Sequence, residues 1–215
     1  MGRLILMRHG RTYSNANRIL DSRPPGAELT VVGKQQARLA GPRLAEVTDN
    51  LGGVYCSVAI RAQQTALRVT AYYEQALGLN RGSIPLEVTP GLQEIFLGDF
   101  EGHDSPDAHG AYNQALYGWM HNGLGVAVPG GENPQQVLDR YRPVMEKLAH
   151  RIDADDRDYL IVGHGAAIRI AGRYSSTVPT DVAYETYFAN CAMVVLHPEG
   201  EFGQWRCESW AGVEL

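Results

Sequence analysis

Two histidines, each placed between a short apolar run and a glycine, are the residues whose types and spacing point most directly to chemistry. One follows the run 4–7 as Arg8-His9-Gly10, and the other follows the run 159–162 as Gly163-His164-Gly165. Short continuous apolar runs are typical of strands that are buried on both faces of a sheet. Because the carboxyl ends of such strands meet at the ligand crevice of an α/β sheet, we expect the two imidazoles to face each other there.

Two arginines are expected beside these histidines. Arg8 directly precedes His9, and Arg61 follows the next predicted strand along the chain. A guanidinium group binds two phosphoryl oxygens through parallel hydrogen bonds. Arg61 alone would be interpreted as a cation on a helix surface, but with two histidines and Arg8 nearby the pattern predicts a preformed anion pocket. Gly10 and Gly165 leave room for the backbone to approach an anion.

Strands and helices alternate along most of the chain. Thr30 is expected to cap one helix, and Asn133 followed by Pro134 is expected to open another. The remaining predicted elements are strands at 4–7, 54–56, 159–162, 193–196 and 205–210, and helices from Ile60 to about Leu77 and from Ala166. This order predicts a single α/β domain over residues 1–215, built as a three-layer sandwich with a mostly parallel central sheet flanked by helices.

The stretch 91–131 is only weakly periodic and is rich in Gly, Asp, His and aromatic residues. We interpret it as an insertion, or lid, over the carboxyl ends of the strands. No Lys or Arg occurs from Gly91 to Asp139, so a bisphosphate would meet net repulsion and a monophosphate is the expected substrate. The predicted contacts between this lid and the body of the substrate are Tyr112, Tyr117, Trp119 and Met120.

Composition and charge exclude several classes of function. The formal net charge is -5 with acidic and basic residues interspersed, so no surface is expected to bind nucleic acid. The apolar runs are too short or too interrupted for a signal peptide or a membrane span, which indicates a cytoplasmic protein with no membrane partner. Cys56, Cys191 and Cys207 lack the spacing of a zinc site or a disulfide framework, and we expect buried free thiols.

Three motif-like patterns fail on spacing. Residues 26–34 differ from a nucleotide-binding P-loop in the distance between their glycines. Cys56 and Arg61 stand one residue too close together for a thiolate phosphatase, and no glycine-rich cradle separates them. The histidines and acids between 103 and 109 have no helical register that would make them metal ligands. We therefore expect no metal and no cofactor.

The residues around the first histidine carry a family resemblance. Residues 6–12, Leu-Met-Arg-His-Gly-Arg-Thr, together with Asn15, resemble the signature of the histidine phosphatase superfamily, which has a phosphoglycerate-mutase-like fold. Further segments resemble the family in the same order, at 29–37, 57–66, 92–102 and 162–165. The chain departs from the family at 21–26, where Asp-Ser-Arg-Pro-Pro-Gly replaces the usual glutamine-glycine step.

The resemblance implies a metal-independent phosphomonoesterase, that is, a histidine acid-type phosphatase among the phosphoric monoester hydrolases. It implies that His9 is the nucleophile, that Glu94 is the general acid, and that the reaction passes through a phosphohistidine. The neighbouring cations are expected to lower the pKa of His9 and keep its ring neutral. The other predicted catalytic, phosphate-binding or substrate-binding residues are Arg8, Arg61, His164, Asn15, Arg18, Thr12 and Gly165.

Two other functions compete with this interpretation. In cofactor-dependent phosphoglycerate mutases an arginine and a tyrosine directly follow the acid and a longer C-terminal tail closes the site, whereas here Ile-Phe-Leu follows Glu94. A catalytically inactive, protein-binding relative is disfavoured because the chain retains His9, His164 and both arginines. A phosphatase of phosphohistidine proteins is disfavoured by the lid. The expected partner is a small phosphorylated metabolite, and the sequence is compatible with a homodimer.

Overall fold

The computed structural model describes residues 2–121 and 123–215, and in this part of the chain a seven-stranded sheet lies between two layers of helices. The strands are β1 (Leu4–Arg8), β2 (Leu51–Cys56), β3 (Leu86–Val88), β4 (Asp158–Gly163), β5 (Met193–His197), β6 (Arg206–Trp210) and β7 (Val213–Glu214). The helices are α1 (Tyr13–Ala16), α2 (Val31–Val47), α3 (Ile60–Ala76), α4 (Pro106–His121), α5 (Pro134–Asp155), α6 (Gly165–Ser175) and α7 (Thr180–Glu185). A short 3-10 turn, Gly98–Phe100, precedes α4.

The strand order places the two histidine-bearing strands next to each other. It is β3-β2-β4-β1-β5-β6-β7, in which β3, β2, β4 and β1 are parallel and β5 to β7 pair in antiparallel fashion. Arg8 at the end of β1 lies opposite Gly163 at the end of β4, so the two strands stop at the same level. The predicted α/β sandwich with a mostly parallel sheet is confirmed, as is the position of the last strands at one edge.

Strand β1 is buried on both faces, as its continuous apolar sequence predicts. Leu4 and Leu6 belong to the core beneath α4, α5 and α6, whereas Ile5 and Met7 belong to the core beneath α2 and α3. All four residues are fully buried, and burial of one such side chain contributes about 1.5–3 kcal/mol. The strand that leads to His9 is therefore held from both sides, which fixes the position of its carboxyl end.

The helix caps follow the sequence signals. The hydroxyl of Thr30 accepts from the amide of Gly33 at the start of α2. Asn133 and Gln136 form a reciprocal capping box at the start of α5, with Pro134 in the first turn. These caps satisfy amides that the first turn of a helix leaves without partners, so both predicted helix starts are confirmed.

The predicted insertion at 91–131 contains a helix that the weak periodicity of its sequence conceals. Helix α4 spans 16 residues, and its glycines and polar residues lower the helical propensity that a sequence pattern can detect. Its buried face packs into the core through Ala108, Ala115, Trp119 and Met120. Strand β3 was also missed, because three largely exposed residues at a sheet edge show little alternation. Asn122, within this stretch, lies outside the described residues.

The three cysteines are buried and free, which confirms the prediction made for them. Burial raises the pKa of the thiols of Cys56, Cys191 and Cys207 to about 12 in each case. Among the helices of residues 2–121 and 123–215, none combines the length and the apolar character that crossing a membrane requires.

Candidate active site

A cavity of about 510 Å³ opens at the carboxyl end of β1. Its walls come from the segment that follows β1, from residues 18–22, from the first turn of α3, from residues 94–97 and from α4. The predicted site residues that line it are Arg8, His9, Thr12, Asn15, Arg18, Arg61, Glu94 and Tyr112. The fold therefore gathers at one place residues that are up to about a hundred positions apart in the sequence.

The hydrogen bonds of His9 leave one ring nitrogen available for nucleophilic attack. The residue is only 4% exposed, and its Nδ1 lies 2.7 Å from the carbonyl oxygen of Gly10. Because a carbonyl only accepts, Nδ1 must carry the proton, and Nε2 of the neutral ring keeps its lone pair. Burial, followed by the charges of Arg61 and Arg8, lowers the pKa of His9 well below its ordinary value, so the ring is neutral at neutral pH.

His164 lies beside His9, with 5.2 Å between the ring centroids. Its Nδ1 accepts from Nε of Arg61 at 3.2 Å, so its Nε2 carries the proton and donates to the hydroxyl of Ser57 at 2.9 Å. Burial, followed by the charge of Arg61, lowers the pKa of His164 well below its ordinary value. His164 is fully buried and holds Arg61 in place, and direct binding of a phosphoryl oxygen by His164 stays a prediction.

Each of the two arginines has one buried nitrogen that makes no hydrogen bond within the described residues. These atoms are Nη1 of Arg61 and Nε of Arg8. The other bonds of Arg61 go to His164 and, through Nη2, to the carbonyl of Asp21 at 3.0 Å. Arg8 donates through Nη1 to the carbonyl of Phe188 at 2.6 Å. A buried donor without an acceptor costs about 1–3 kcal/mol, and an anion in the cavity can supply the missing acceptor.

Asn15 is oriented by its neighbour Thr12 in a capping box at the start of α1. The side-chain oxygen of Asn15 accepts from the amide of Thr12 at 3.2 Å, and the hydroxyl of Thr12 accepts from the amide of Asn15 at 3.0 Å. The amide oxygen of Asn15 is thereby used within the protein, so its NH₂ group is the end available to donate to an anion.

The carboxylate of Glu94 lies at the N-terminus of α6. Its Oε1 accepts from the amides of Ala167 at 2.7 Å and Ile95 at 2.9 Å, whereas Oε2 accepts only from the amide of Ala166 at 3.1 Å. Glu94 lines the cavity, and within the described residues its Oε2 accepts fewer and longer hydrogen bonds than its Oε1.

The rim of the cavity joins the segment that contains Arg18 to the insertion. Nε2 of His109 lies 2.6 Å from the carbonyl of Arg18 and donates to it. Leu20 exchanges backbone hydrogen bonds with the insertion, donating to His103 at 2.8 Å and accepting from Gly102 at 2.7 Å. These bonds hold the start of α4 and the segment around Arg18 against each other at the opening of the cavity.

Of the four predicted lid contacts, Tyr112 lines the cavity, whereas Tyr117, Trp119 and Met120 are absent from its lining. Trp119 is fully buried, and its indole N–H donates to the carbonyl of Val126 at 3.0 Å, so it supports Tyr112 at a ring distance of 6.0 Å and does not reach the cavity. At Gly165 a Cβ atom would lie 3.3 Å from Nε of Arg8. Gly165 therefore makes room for the arginine side chain, and its backbone does not line the cavity.

Several residues of the site have no simple signal in the sequence. Asp21 lines the cavity, its carboxylate lies 3.7 Å from Nη1 of Arg61, and it belongs to the segment that departs from the family pattern. Asn190 donates to the carbonyl of His9 at 2.9 Å, but it stands in a loop that sequence reasoning did not connect to β1. Ser57 precedes α3, and nothing in the sequence pattern indicates that its hydroxyl bonds to His164. Across residues 2–121 and 123–215, no three His, Cys, Asp or Glu side chains form a group that could hold a metal ion.

Comparison with protein families matches residues 4–212 to the histidine phosphatase superfamily (branch 1). The match covers nearly the whole chain and includes all the segments on which the resemblance was based. It also includes the residue pair that the cavity brings together, His9 and Arg61.

The chain is similar both to phosphatases and to mutases. It is 25% identical over 201 residues to the putative phosphoserine phosphatase 2 of Hydrogenobacter thermophilus, covering 94% of this chain and 92% of that protein. It is 27% identical over 183 residues to a 2,3-bisphosphoglycerate-dependent phosphoglycerate mutase of Methylobacterium sp., covering 82% of this chain and 84% of that protein. The solved structure of a mycobacterial glucosyl-3-phosphoglycerate phosphatase with VO3 has a TM-score of 0.73 at 24% identity, over 98% of this chain and 99% of that chain, which shows a shared fold.

Proposed function

The chain belongs to the histidine phosphatase superfamily, and from this premise we propose that it is a cytoplasmic, metal-independent phosphomonoesterase of the histidine acid type. It acts on a small phosphorylated metabolite through a phosphohistidine on His9. The observation that carries the proposal is the state of His9. Its bond to the carbonyl of Gly10 fixes the proton on Nδ1, and Nε2 is left as a nucleophile beside two arginines that each have a buried nitrogen without a hydrogen-bond acceptor in the described residues.

The first half of the reaction transfers the phosphoryl group to the enzyme. Nε2 of His9 attacks phosphorus, a P–N bond forms, and the P–O bond to the leaving alcohol breaks. The N–H groups of Arg8 and Arg61 and the NH₂ group of Asn15 donate to the phosphoryl oxygens and offset the charge that develops in the transition state. Glu94 gives a proton to the leaving oxygen, so the product departs as a neutral alcohol.

The second half returns the enzyme to its starting state. Glu94, now a carboxylate, takes a proton from a water molecule that attacks phosphorus, and the P–N bond breaks to release inorganic phosphate. The carbonyl of Gly10 keeps the Nδ1 proton in place throughout. The phosphorylated ring is therefore cationic, which makes it a good leaving group for this step.

The substrate that fits the cavity best is a monophosphate with a small body. A volume of about 510 Å³ lies within the usual range of about 300–1,000 Å³ for small-molecule sites. Tyr112 and Ile95 line it on the insertion side, where an apolar or aromatic surface suits the neutral part of a sugar phosphate or an amino-acid phosphate. Relatives named for phosphoserine and for glucosyl-3-phosphoglycerate are compatible with this size.

A phosphoglycerate mutase activity is the second candidate, supported by the relative that carries this name. A mutase must accept a bisphosphate and hold the phosphoenzyme away from water. The residues after the acid, Ile95 and Leu97, line the cavity and are apolar, and no Lys or Arg occurs from Gly91 to Asp139. These features favour hydrolysis, because a second phosphate finds no cation on that side.

The experiment that tests the proposal traps the intermediate. The protein is mixed with a ³²P-labelled phosphomonoester, quenched in alkali, in which phosphohistidine survives, and mapped by mass spectrometry. We expect label on His9, unchanged turnover in the presence of EDTA, and no label in His9→Asn, whereas the exposed His150→Asn variant serves as the control. A requirement for a divalent ion, or label on another residue, would overturn the proposal. Conversion of 3-phosphoglycerate to 2-phosphoglycerate faster than phosphate release would select the mutase.

A further inference from the structure

Arg140, on α5, binds the backbone of the segment that carries the proposed general acid. Its Nη1 donates to the carbonyls of Gly91 at 2.8 Å and Gln93 at 2.6 Å. Its Nη2 donates to the carbonyl of Glu94 at 3.0 Å. One guanidinium group thus fixes three carbonyls within four successive residues, a number of bonds that a Lys side chain, with one nitrogen, cannot reproduce in this geometry.

Two neighbours complete this arrangement. The hydroxyl of Tyr141 donates to the carbonyl of Leu92 at 2.8 Å, so the carbonyls of residues 91 to 94 are all bound by adjacent side chains of α5. Glu132 pairs with Arg140 at 2.8 Å and also accepts from the amide of Phe96 at 2.9 Å. Side chains of α5 therefore hold the backbone of residues 91–94, and Glu132, just before this helix, holds Phe96.

The two ends of Glu94 are held by different elements. Arg140 holds its backbone carbonyl, and the first amides of α6 bind its carboxylate. Arg140 is absent from the residues that line the cavity, and its side chain is 15% exposed. It therefore cannot touch a substrate in the cavity, but a shift of its carbonyl partners would move the carboxylate of Glu94.

We propose that Arg140 is a positioning residue for general acid catalysis, which it supports by fixing the backbone of Glu94. The inference rests on the proposed function, in which Glu94 protonates the leaving oxygen. A catalytic group must lie within hydrogen-bond reach of the atom it protonates, and a misplacement of about 1 Å can cost about 10²-fold in rate. Loss of Arg140 is expected to affect the steps that need this proton and to spare those that do not.

The experiment compares two esters that differ in their need for the acid. Serine phosphate has a poor leaving group and needs a proton on the leaving oxygen, whereas 4-nitrophenyl phosphate has a good one and does not. The parameter measured is kcat/KM, because it reports the reaction only as far as formation of the phosphohistidine. The variants are Arg140→Gln and Arg140→Lys, with Glu94→Gln as the reference for loss of the acid.

The matched control is Arg142→Gln on the same helix. Arg142 is 55% exposed and makes an ion pair with Glu146 one turn away. Its loss is therefore expected to leave kcat/KM unchanged for both esters. For Arg140→Gln we expect a fall in kcat/KM of about 30–100-fold on serine phosphate and less than about 3-fold on 4-nitrophenyl phosphate. Arg140→Lys is expected to restore only part of this loss. The double variant with Glu94→Gln should be no slower than Glu94→Gln alone, since both changes remove the same contribution.

Equal losses on the two esters in folded Arg140→Gln would overturn the positioning role and leave the proposed function intact. If Glu94→Gln itself shows no preference between the esters, the acid assignment in the proposed function fails first. Should Arg140→Gln not fold, Glu132→Gln replaces it. That variant keeps the guanidinium but removes the charge of its partner, and a smaller loss confined to serine phosphate supports the inference, whereas an equal loss on both esters contradicts it.

Discussion

Arginines and histidines lie at both ends of β1, but their hydrogen bonds are satisfied within the described residues at one end and not at the other. Arg3 precedes the strand, and its guanidinium donates to Asp158 at 2.8 and 3.2 Å, to Glu208 at 3.1 Å and to the carbonyl of Val47 at 2.6 Å. Arg8 ends the strand, only five residues later, with one protein acceptor for its side chain and a buried Nε that has none among the described residues. Five positions along the chain thus separate an arginine whose guanidinium nitrogens all donate hydrogen bonds from one with a donor that is free in the described residues. We call these two ends of β1 the saturated end, at Arg3, and the unsaturated end, at Arg8.

The histidines differ in the same way. His197, near Arg3, lies 2.6 Å from the carboxylate of Glu208. His9 and His164, near Arg8, have no carboxylate partner in the described residues, and burial together with the arginines lowers the pKa of each. Paired charges hold the end of the sheet together, whereas unpaired donors and neutral rings leave free energy available to an anionic ligand.

The largest effect is expected from removing a cation at the unsaturated end. Arg61→Met takes away a buried guanidinium whose Nη1 has no acceptor in the described protein. We expect kcat/KM to fall about 10²–10³-fold, because a donor to the transition state is lost. The melting temperature should fall less than in Arg3→Met, because the bonds of Arg61 to His164 and Asp21 are lost together with a buried cation. Arg3→Met is the matched control: steady-state rates and thermal melts should show nearly full activity and a lower melting temperature. If both variants lose activity equally, the contrast between the two ends is wrong.

The next effect, on stability, is expected at the saturated end. Asp158 is 5% exposed and accepts from both the backbone amide and the guanidinium of Arg3. Asp158→Asn leaves this cation without its main partner, and the free energy of unfolding should fall by about 3 kcal/mol. Urea unfolding measures the loss, and activity well below the transition should be unchanged. A fall in activity without a fall in stability would contradict the assignment.

A smaller effect is expected from the hydroxyl that orients His164. Ser57→Ala removes the acceptor of the Nε2 proton, which lies 2.9 Å away, while the bond from Arg61 to Nδ1 is kept. We expect kcat to fall about tenfold, which corresponds to about 1.4 kcal/mol, a typical cost of one buried hydrogen bond. Ser83→Ala, which removes a long 3.5 Å contact to Glu74 far from the cavity, is the control and should keep full activity.

The smallest effect is the dependence of stability on pH. The pKa of His9 is lowered in the folded protein, first by burial and then by Arg61 and Arg8, so the unfolded chain takes up its proton at a higher pH than the folded one. The contribution is therefore fully present above about pH 6.5 and is lost as the pH falls. Between about pH 7.5 and about pH 5.5 the free energy of unfolding should decrease by about 1 kcal/mol on account of this residue.

His9→Asn isolates this contribution, because asparagine does not titrate. Urea unfolding of both proteins at the two pH values should show a decrease that is about 1 kcal/mol smaller in the variant. Glu208 adds little in this window: burial raises its pKa, but His197 and Arg3 outweigh burial and lower the pKa from its ordinary value, so the carboxylate stays ionised in both states. An identical decrease in the two proteins would show that the pKa of His9 is the same in the folded and the unfolded states, which contradicts the prediction.

The sequence was informative where chemistry and periodicity coincide. The runs 4–7 and 159–162 are apolar because β1 and β4 are buried on both faces, and the residue after each run is therefore at the sheet end. The pattern predicts that His9 and His164 lie close together, and the ring distance of 5.2 Å confirms it. The sequence also predicts the helix caps at Thr30 and Asn133, because each cap depends on residues only three positions apart.

The parts that were missed depend on contacts between distant segments. Arg140 lies 46 residues after Glu94, and nothing in the helical pattern of α5 distinguishes it from the exposed Arg142. Trp119 was predicted to touch the substrate because an aromatic residue in a lid is a common contact, but the buried face of α4 was not visible in its sequence. The sequence also cannot show which ring nitrogen of His164 carries the proton, because this depends on where the fold places Ser57 and Arg61.

The buried thiols have a consequence for how the proposed phosphatase tolerates oxidants. At a pKa of about 12 for each of the three cysteines, only about one thiol in 10⁵ is ionised at neutral pH, and the thiolate is the form that peroxide attacks. The proposed nucleophile is an imidazole, which peroxide does not readily consume. We expect the protein to keep its activity at hydrogen peroxide concentrations that inactivate thiolate phosphatases. A titration of activity against peroxide measures this.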